Sequence, residues 1–297
     1  ANGCTVRNCW LVDTLGHSII VWNEADPLGA VDAGARSDII IENNLIEGSG
    51  TNRARIDIAR EALSLDLINH HVIIRNNRIR DSYGSITNHA GINILISGNQ
   101  IDNVGQGIAV HNDLQNVVIS DNQVTNISGT DSWGIQANAT ASVMDNISIT
   151  GNLIENTPRG IQVYFRETLV TPGSVAISGN VVTNVTATHG IYVEELLAVG
   201  SSILIQGNDL RALAQDGVRI VGPISAAIIA ANRISECITG INVRTHSGSG
   251  ESLTDVLIDG NLIGATTADA IITTDEGCVL RGNLGYATEN SGAAAST

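Results

Sequence analysis

Apolar and polar positions alternate in short bursts along this chain, and the bursts repeat. The run Ile94-Leu95-Ile96-Ser97-Gly98-Asn99 has near copies at 147–152, 175–180 and 203–208. Looser copies end at Asn44, Asn77, Asn122, Asn232, Asn261 and Asn283, and the stretch from Cys4 to Cys9 fits the frame with Cys9 in the Asn place. Successive markers stand 22 to 35 residues apart. An apolar-x-apolar triplet reads as a short strand with two unlike faces. The Gly or Asn ahead of most markers suits a sharp bend at positive φ.

A second apolar pair follows the marker, as at Leu153-Ile154 and Val181-Val182, and predicts a second strand. A third begins at a Gly in the pattern Gly-Ile/Val-x-Val or its Ile variant, at 107–110, 160–163, 190–193, 217–220 and 240–243. Three strands with their turns fill the shortest spacing, 22 residues. Extra length is confined to the corners, after the third strand or in the turn before it. Stacked coils tolerate this because each strand pairs only with its counterpart one coil away. The predicted fold is all-β: a right-handed parallel β-helix of about eleven coils, each of three short strands, rising about 4.8 Å per coil. The marker Asn side chains are expected to form an amide column down one corner. A shorter column is expected at Asn103, Asn126, Asn156 and Asn184. A leucine-rich-repeat horseshoe also uses a turn Asn, but its Leu-x-x-Leu-x-Leu signature is absent.

The helix is expected over residues 1–285, with 286–297 a tail or junction. Ala1-Asn2-Gly3-Cys4-Thr5-Val6 reads as a coil already in progress, so a leader and a cap are expected upstream.

Composition changes the picture in two ways. Only 3% of residues are aromatic against 43% hydrophobic, so the core must be built from Ile, Val, Leu and Ala. Fifteen Arg and no Lys face 30 acidic residues, for a net charge of −15. Such a surface repels phosphate backbones and anionic lipid, which argues against nucleic-acid and membrane-surface binding. No apolar run approaches the length that spans a bilayer. Without Lys there is neither Schiff-base chemistry nor a Walker-type phosphate loop. Cys4, Cys9, Cys237 and Cys278 show no metal-ligand spacing; Cys4, Cys237 and Cys278 are expected to face the core. No metal or cofactor is implied.

The repeated apolar-x-apolar-x-Gly-Asn frame resembles the pectate-lyase-like superfamily of β-helices. The resemblance implies the fold, and it implies the company of polysaccharide lyases, glycoside hydrolases, uronan epimerases and phage tailspikes. The stretch from Asn283 to Gly292 is similar to a junction that follows such helices in phage-related and secreted bacterial proteins. An extracellular, cell-surface or virion location is the corresponding expectation. The chain departs from the family in lacking paired calcium-binding aspartates and the epimerase catalytic signature, so no family residue role carries over.

Candidate chemistry therefore comes from strand alternation. With the apolar residues of the third strand inside, one outward column reads Trp22, Asn88, His111, Asn138, Tyr164, Glu194, Val221, Arg244 and Thr274. Its neighbour reads Ile20, Ala109, Gln136, Gln162, Tyr192, Arg219, Asn242 and Ile272. Trp22, His111, Asn138, Gln162, Tyr192 and Asn242 suit a sugar chain. Tyr164, Glu167, Glu194, Arg219 and Arg244 form the candidate catalytic patch. In a lyase, Arg219 or Arg244 would neutralise a uronate carboxylate while a Tyr moves a proton. In a hydrolase, Glu194 and Glu167 would act as a carboxylate pair. The plain alternative is an exposed face with cross-strand ion pairs, each worth little.

The first strand carries a different signal. Its outward residues, Thr5, Ile40, Ile73, Leu95, Val118, Ser148, Ala176, Leu204, Ile228, Leu257 and Val279, are mostly apolar. A solvated face would be polar, so this stripe calls for a cover, either long loops of the chain itself or neighbouring rods. The tailspike resemblance implies a homotrimer. Two functions stay open: a β-helix that binds or cleaves a polysaccharide, and a non-catalytic rod assembling through the stripe.

Overall fold

The computed structural model describes residues 3–12, 18–23, 37–48, 55–60, 69–139, 144–165, 173–195, 201–224, 226–245, 254–273 and 277–285. They form three parallel sheets and, among the described residues, no helix. The first sheet has 11 strands, running from Cys4–Arg7 to Cys278–Arg281. The second, also of 11, runs from Trp10–Val12 to Leu284–Gly285, and the third, of 10, from Ile19–Asn23 to Ile271–Thr273. Each strand pairs with the strand three places away in sequence, as expected of a right-handed coil stack. The predicted tail, 286–297, lies outside the described residues.

The triplets put their outer two apolar residues inside. Ile39, Ile41, Ile94, Ile96, Ile203 and Ile205 belong to one continuous core with the apolar residues of the other two sheets. Cys237 and Cys278 are buried in it, and burial pushes the Cys237 thiol up to about 12. Cys4, at the end of the stack, is only half-buried.

The marker column is an amide ladder. Asn99 Oδ1 accepts from both the backbone N–H and Nδ2 of Asn77, each at 3.0 Å. Asn99 Nδ2 in turn donates to Asn122 Oδ1 at 2.9 Å and to the Ile74 carbonyl at 3.0 Å. The same set recurs down to Asn283, so a buried bend is satisfied at every coil. Cys9 keeps the one bond its backbone can supply, N–H to Asn44 Oδ1 at 2.9 Å. The residues of the second column, Asn103, Asn126, Asn156 and Asn184, themselves sit at left-handed φ, between 52° and 56°. A third such corner, at the start of the first-sheet strands, was not visible in the repeat frame: Asp38, His71, Asn93, Asn116, Asn146 and Asp255 all have φ between 53° and 60°.

Coils approach closely where the third strand begins. A Cβ on Gly160 would stand 2.1 Å from the Gly190 carbonyl oxygen, so nothing larger fits without parting the coils. This close stacking brings the residues just before each Gly into register on the outer surface.

Candidate functional site

Registers of the third sheet define its outer face. The middle column runs Ile20, Asp57, Thr87, Ala109, Gln136, Gln162, Tyr192, Arg219, Asn242 and Ile272. The sequence reading had all of these but Asp57 and Thr87. The other column holds His111, Asn138, Tyr164, Glu194, Val221 and Arg244 in register. Asn88 does not belong to it. It pairs with Val110 and Ile58, so it points inward, and it is fully buried. A polar residue occupies an inward slot there, and His89 takes the outward place. Trp22 pairs with Ala59 on the third sheet's second strand, Ile56–Arg60. Glu167 and Thr274 lie outside the described residues.

Tyr164, Tyr192, Glu194, Arg219 and Arg244 thus share one face across strands separated by at most three steps. Tyr192 is the centre of the patch. Its hydroxyl bonds to Glu194, and its pKa is raised above the ordinary tyrosine range, first by burial, then by that bond and by the Glu194 charge. The Arg219 guanidinium lies over its ring, 5.8 Å from the centroid. The Trp133 ring stacks on it at 6.0 Å with a 9° interplanar angle.

A third column, one residue ahead of the Gly, completes the site: Trp133, Arg159, His189, Asp216 and Thr239. His189 and Asp216 are both buried. His189 Nδ1 lies 3.2 Å from Asp216 Oδ2, and Nε2 lies 3.2 Å from Arg219 Nη1. Arginine can only donate, so Nε2 accepts and Nδ1 carries the proton toward the carboxylate. With the proton on Nδ1, the Asp216 amide 3.3 Å away finds no lone pair there, and the carboxylate is the partner that holds this nitrogen. Asn242 Nδ2 donates to Asp216 Oδ2 at 3.2 Å and fixes the carboxylate from the far side. Arg159 reaches Asp131 at 2.6 Å while its guanidinium covers Trp133.

The arrangement supplies an oriented imidazole base, a phenol held in its protonated form, and a guanidinium between them. Among the described residues no group of three or more His, Cys, Asp or Glu is placed to hold a metal ion. His189, Asp216, Trp133 and Arg159 were not singled out from sequence. Their signal was there: each immediately precedes the Gly that opens a third strand.

Fold and site together define a solenoid with a polar, acid/base-equipped sheet face. The family model for the right-handed β-helix region matches residues 1–171, more than half of the chain, and the chain belongs to that family. Among solved structures it is similar to the A-module of the mannuronan C-5 epimerase AlgE4 from Azotobacter vinelandii. The identity is 16% and the TM-score 0.64, over 97% of this chain and 79% of that one. It is also similar to the catalytic unit of a thermostable GH87 α-1,3-glucanase from Streptomyces thermodiastaticus strain HF3-3. There the identity is 14% and the TM-score 0.56, over 95% of this chain and 58% of that one. No curated protein matches the sequence. At these identities the structural likeness establishes the fold.

Proposed function

We propose that the outer face of the third sheet is the acid/base site of an enzyme acting on an acidic polysaccharide. The observation that carries this is His189, held by Asp216 at one ring nitrogen and facing Arg219 at the other, with Tyr192 alongside. Arg219 turns from His189 to the uronate carboxylate and stabilises the charge that develops there. His189 Nε2, released, takes the C5 proton. The C4–O bond breaks, and Tyr192 gives its proton to the departing oxygen, leaving an unsaturated sugar end. Solvent then returns a proton to Tyr192 and removes one from His189.

Support comes also from charge. In a chain of net charge −15, Arg159, Arg219 and Arg244 lie on this one face, Arg159 paired with Asp131 at 2.6 Å and Arg219 3.7 Å from Asp216. The two similar structures, an epimerase of mannuronan and a glucanase, act on polysaccharides. The hydrolase scheme needs Glu167 as partner to Glu194, and Glu194 is already engaged by Tyr192. A location outside the cell or on a virion follows from the substrate class.

The test is incubation with polymannuronate, polyguluronate and polygalacturonate in deuterated water. Growth of the ultraviolet absorbance of unsaturated ends supports elimination. Deuterium at C5 without new ends would move the reading to epimerisation, with the same base and a different proton acceptor. Neither signal on any polymer would overturn it.

A second reading is favoured by the first sheet. Its outward residues from Thr5 to Val279 fall in unbroken register, a stripe of ten strand spacings, about 48 Å. We read this stripe as a lateral contact between copies of the chain, with a trimer as the closed arrangement. It is compatible with the enzyme reading because it lies on a different sheet.

A further inference from the structure

The same face carries a second ionisable cluster, toward the amino-terminal end, that the acid/base site does not use. Asp57, 2% exposed, accepts a bond from Arg55 Nη2 at 2.8 Å. His89 Nε2 lies 3.6 Å from Asp57 Oδ1, and the His89 and His111 rings stand 5.6 Å apart. Arg55, His89 and His111 border a groove of about 270 Å³ lined also by Thr87, Gln106, Asp131, Trp133 and Gln136. The groove runs into the acid/base site, because Trp133 at its far wall is the ring stacked on Tyr192.

The chemistry of the groove differs from that of the site. The Arg55 guanidinium is matched by the Asp57 carboxylate. Both imidazoles are held toward their neutral form, His111 down to about 4 and His89 below its ordinary value, in each case chiefly by burial. The Asp131 carboxylate on its lining is matched by Arg159, and the rest of the polar lining is imidazole, amide and hydroxyl beside the Trp133 ring. That set fits the hydroxyl-bearing faces of a sugar ring rather than an isolated carboxylate.

We infer that the groove bordered by His89, Gln106 and His111 is a distal saccharide subsite, so that the protein takes an extended polymer along the helix axis rather than a short oligomer. This rests on the reading of the third sheet as a polysaccharide site. Along the helix axis, four steps in strand order separate His89 from His189, an advance of about 19 Å at one strand spacing each. A strand spacing is close to the advance of one pyranose in an extended chain, so roughly five sugars bridge the two clusters.

The experiment is calorimetric titration of the full chain with size-defined mannuronate and galacturonate oligomers, from trimer to octamer. The wild-type protein is expected to bind the hexamer about tenfold more tightly than the trimer. In His89→Ala that step disappears, with trimer affinity within about twofold of wild type. Gln106→Ala, which removes an exposed side chain, carries the same expectation and guards against a disturbed coil. A wild-type affinity that does not rise with length overturns the subsite. So do variants that weaken trimer and hexamer alike, or weaken neither; all three outcomes leave the acid/base reading standing. Failure of every oligomer to bind the wild-type protein overturns both.

Discussion

His189 and Asp216 are 27 residues apart in sequence, yet Nδ1 of the one lies 3.2 Å from Oδ2 of the other. Adjacent coils bring them together, and the contact sets which ring nitrogen is free to act as a base. Asp216→Asn keeps the shape and the bond from Asn242 but removes the charge that selects the Nδ1–H tautomer. We expect kcat on the responsive polymer to fall by about 10²–10⁴, with KM nearly unchanged and the melting temperature close to wild type. A change confined to KM would place the pair in substrate binding instead.

Tyr192→Phe removes the proton donor while leaving the ring that stacks on Trp133. Turnover should fall at least about 100-fold. The raised pKa also has a stability consequence. Folded Tyr192 keeps its proton at pH values where the unfolded chain loses it. Its contribution is therefore whole below the ordinary tyrosine value, about 10, and declines as the pH rises beyond it. Denaturant titrations above that pH should show a shallower loss of stability in Tyr192→Phe than in wild type.

His111 runs the other way. Burial lowers its pKa to about 4, so protonation favours the unfolded chain. The stability it secures is present above the ordinary histidine value, about 6.5, and is lost as the pH falls toward 4. His111→Gln should flatten this acid limb, by on the order of 2–3 kcal/mol between neutral pH and pH 4, as read by urea unfolding at each pH.

Two glycines should answer differently to alanine. At Gly160 the added methyl meets the Gly190 carbonyl at 2.1 Å, backbone against backbone, and the coils must separate. A loss of about 3 kcal/mol or more is expected. At Gly179 nothing lies within 4 Å, and the cost is only that of φ at +63°, about 1–2 kcal/mol. Gly179→Asn should cost less still, since Asn43 and Asn76 already occupy that corner in other coils. Chemical denaturation of the three variants checks the ranking.

Ile228 is the test of lateral assembly. It is 44% exposed toward the carboxy-terminal end of the first-sheet stripe, flanked in register by Leu204 and Leu257. Ile228→Asp should convert an oligomer to monomers in light scattering at micromolar concentration without altering the circular dichroism spectrum. A wild-type protein already monomeric at that concentration would dispose of the interface.

The repeat frame was enough for the coil count, the three-strand unit, the marker ladder and the apolar stripe. Each depends on local alternation and on bends that only Gly or Asn take easily. The frame was anchored at the Gly of the third strand, so it lost the column immediately before that Gly. It also took the alternation of that strand out of phase and put Asn88 outside, although the pleat sends it inward opposite Val110.

What the sequence by itself determined is which face of its own strand most side chains occupy, because the pleat alternates regardless of neighbours. Which side chains meet was decided by the tertiary structure. Coils of unequal length close on the same registers, so residues 27 or 30 positions apart, such as His189 with Asp216 and with Arg219, become neighbours about one strand spacing away. Burial against that stack then moves the pKa values of Tyr192 and His111, an effect that alternation along one strand does not contain.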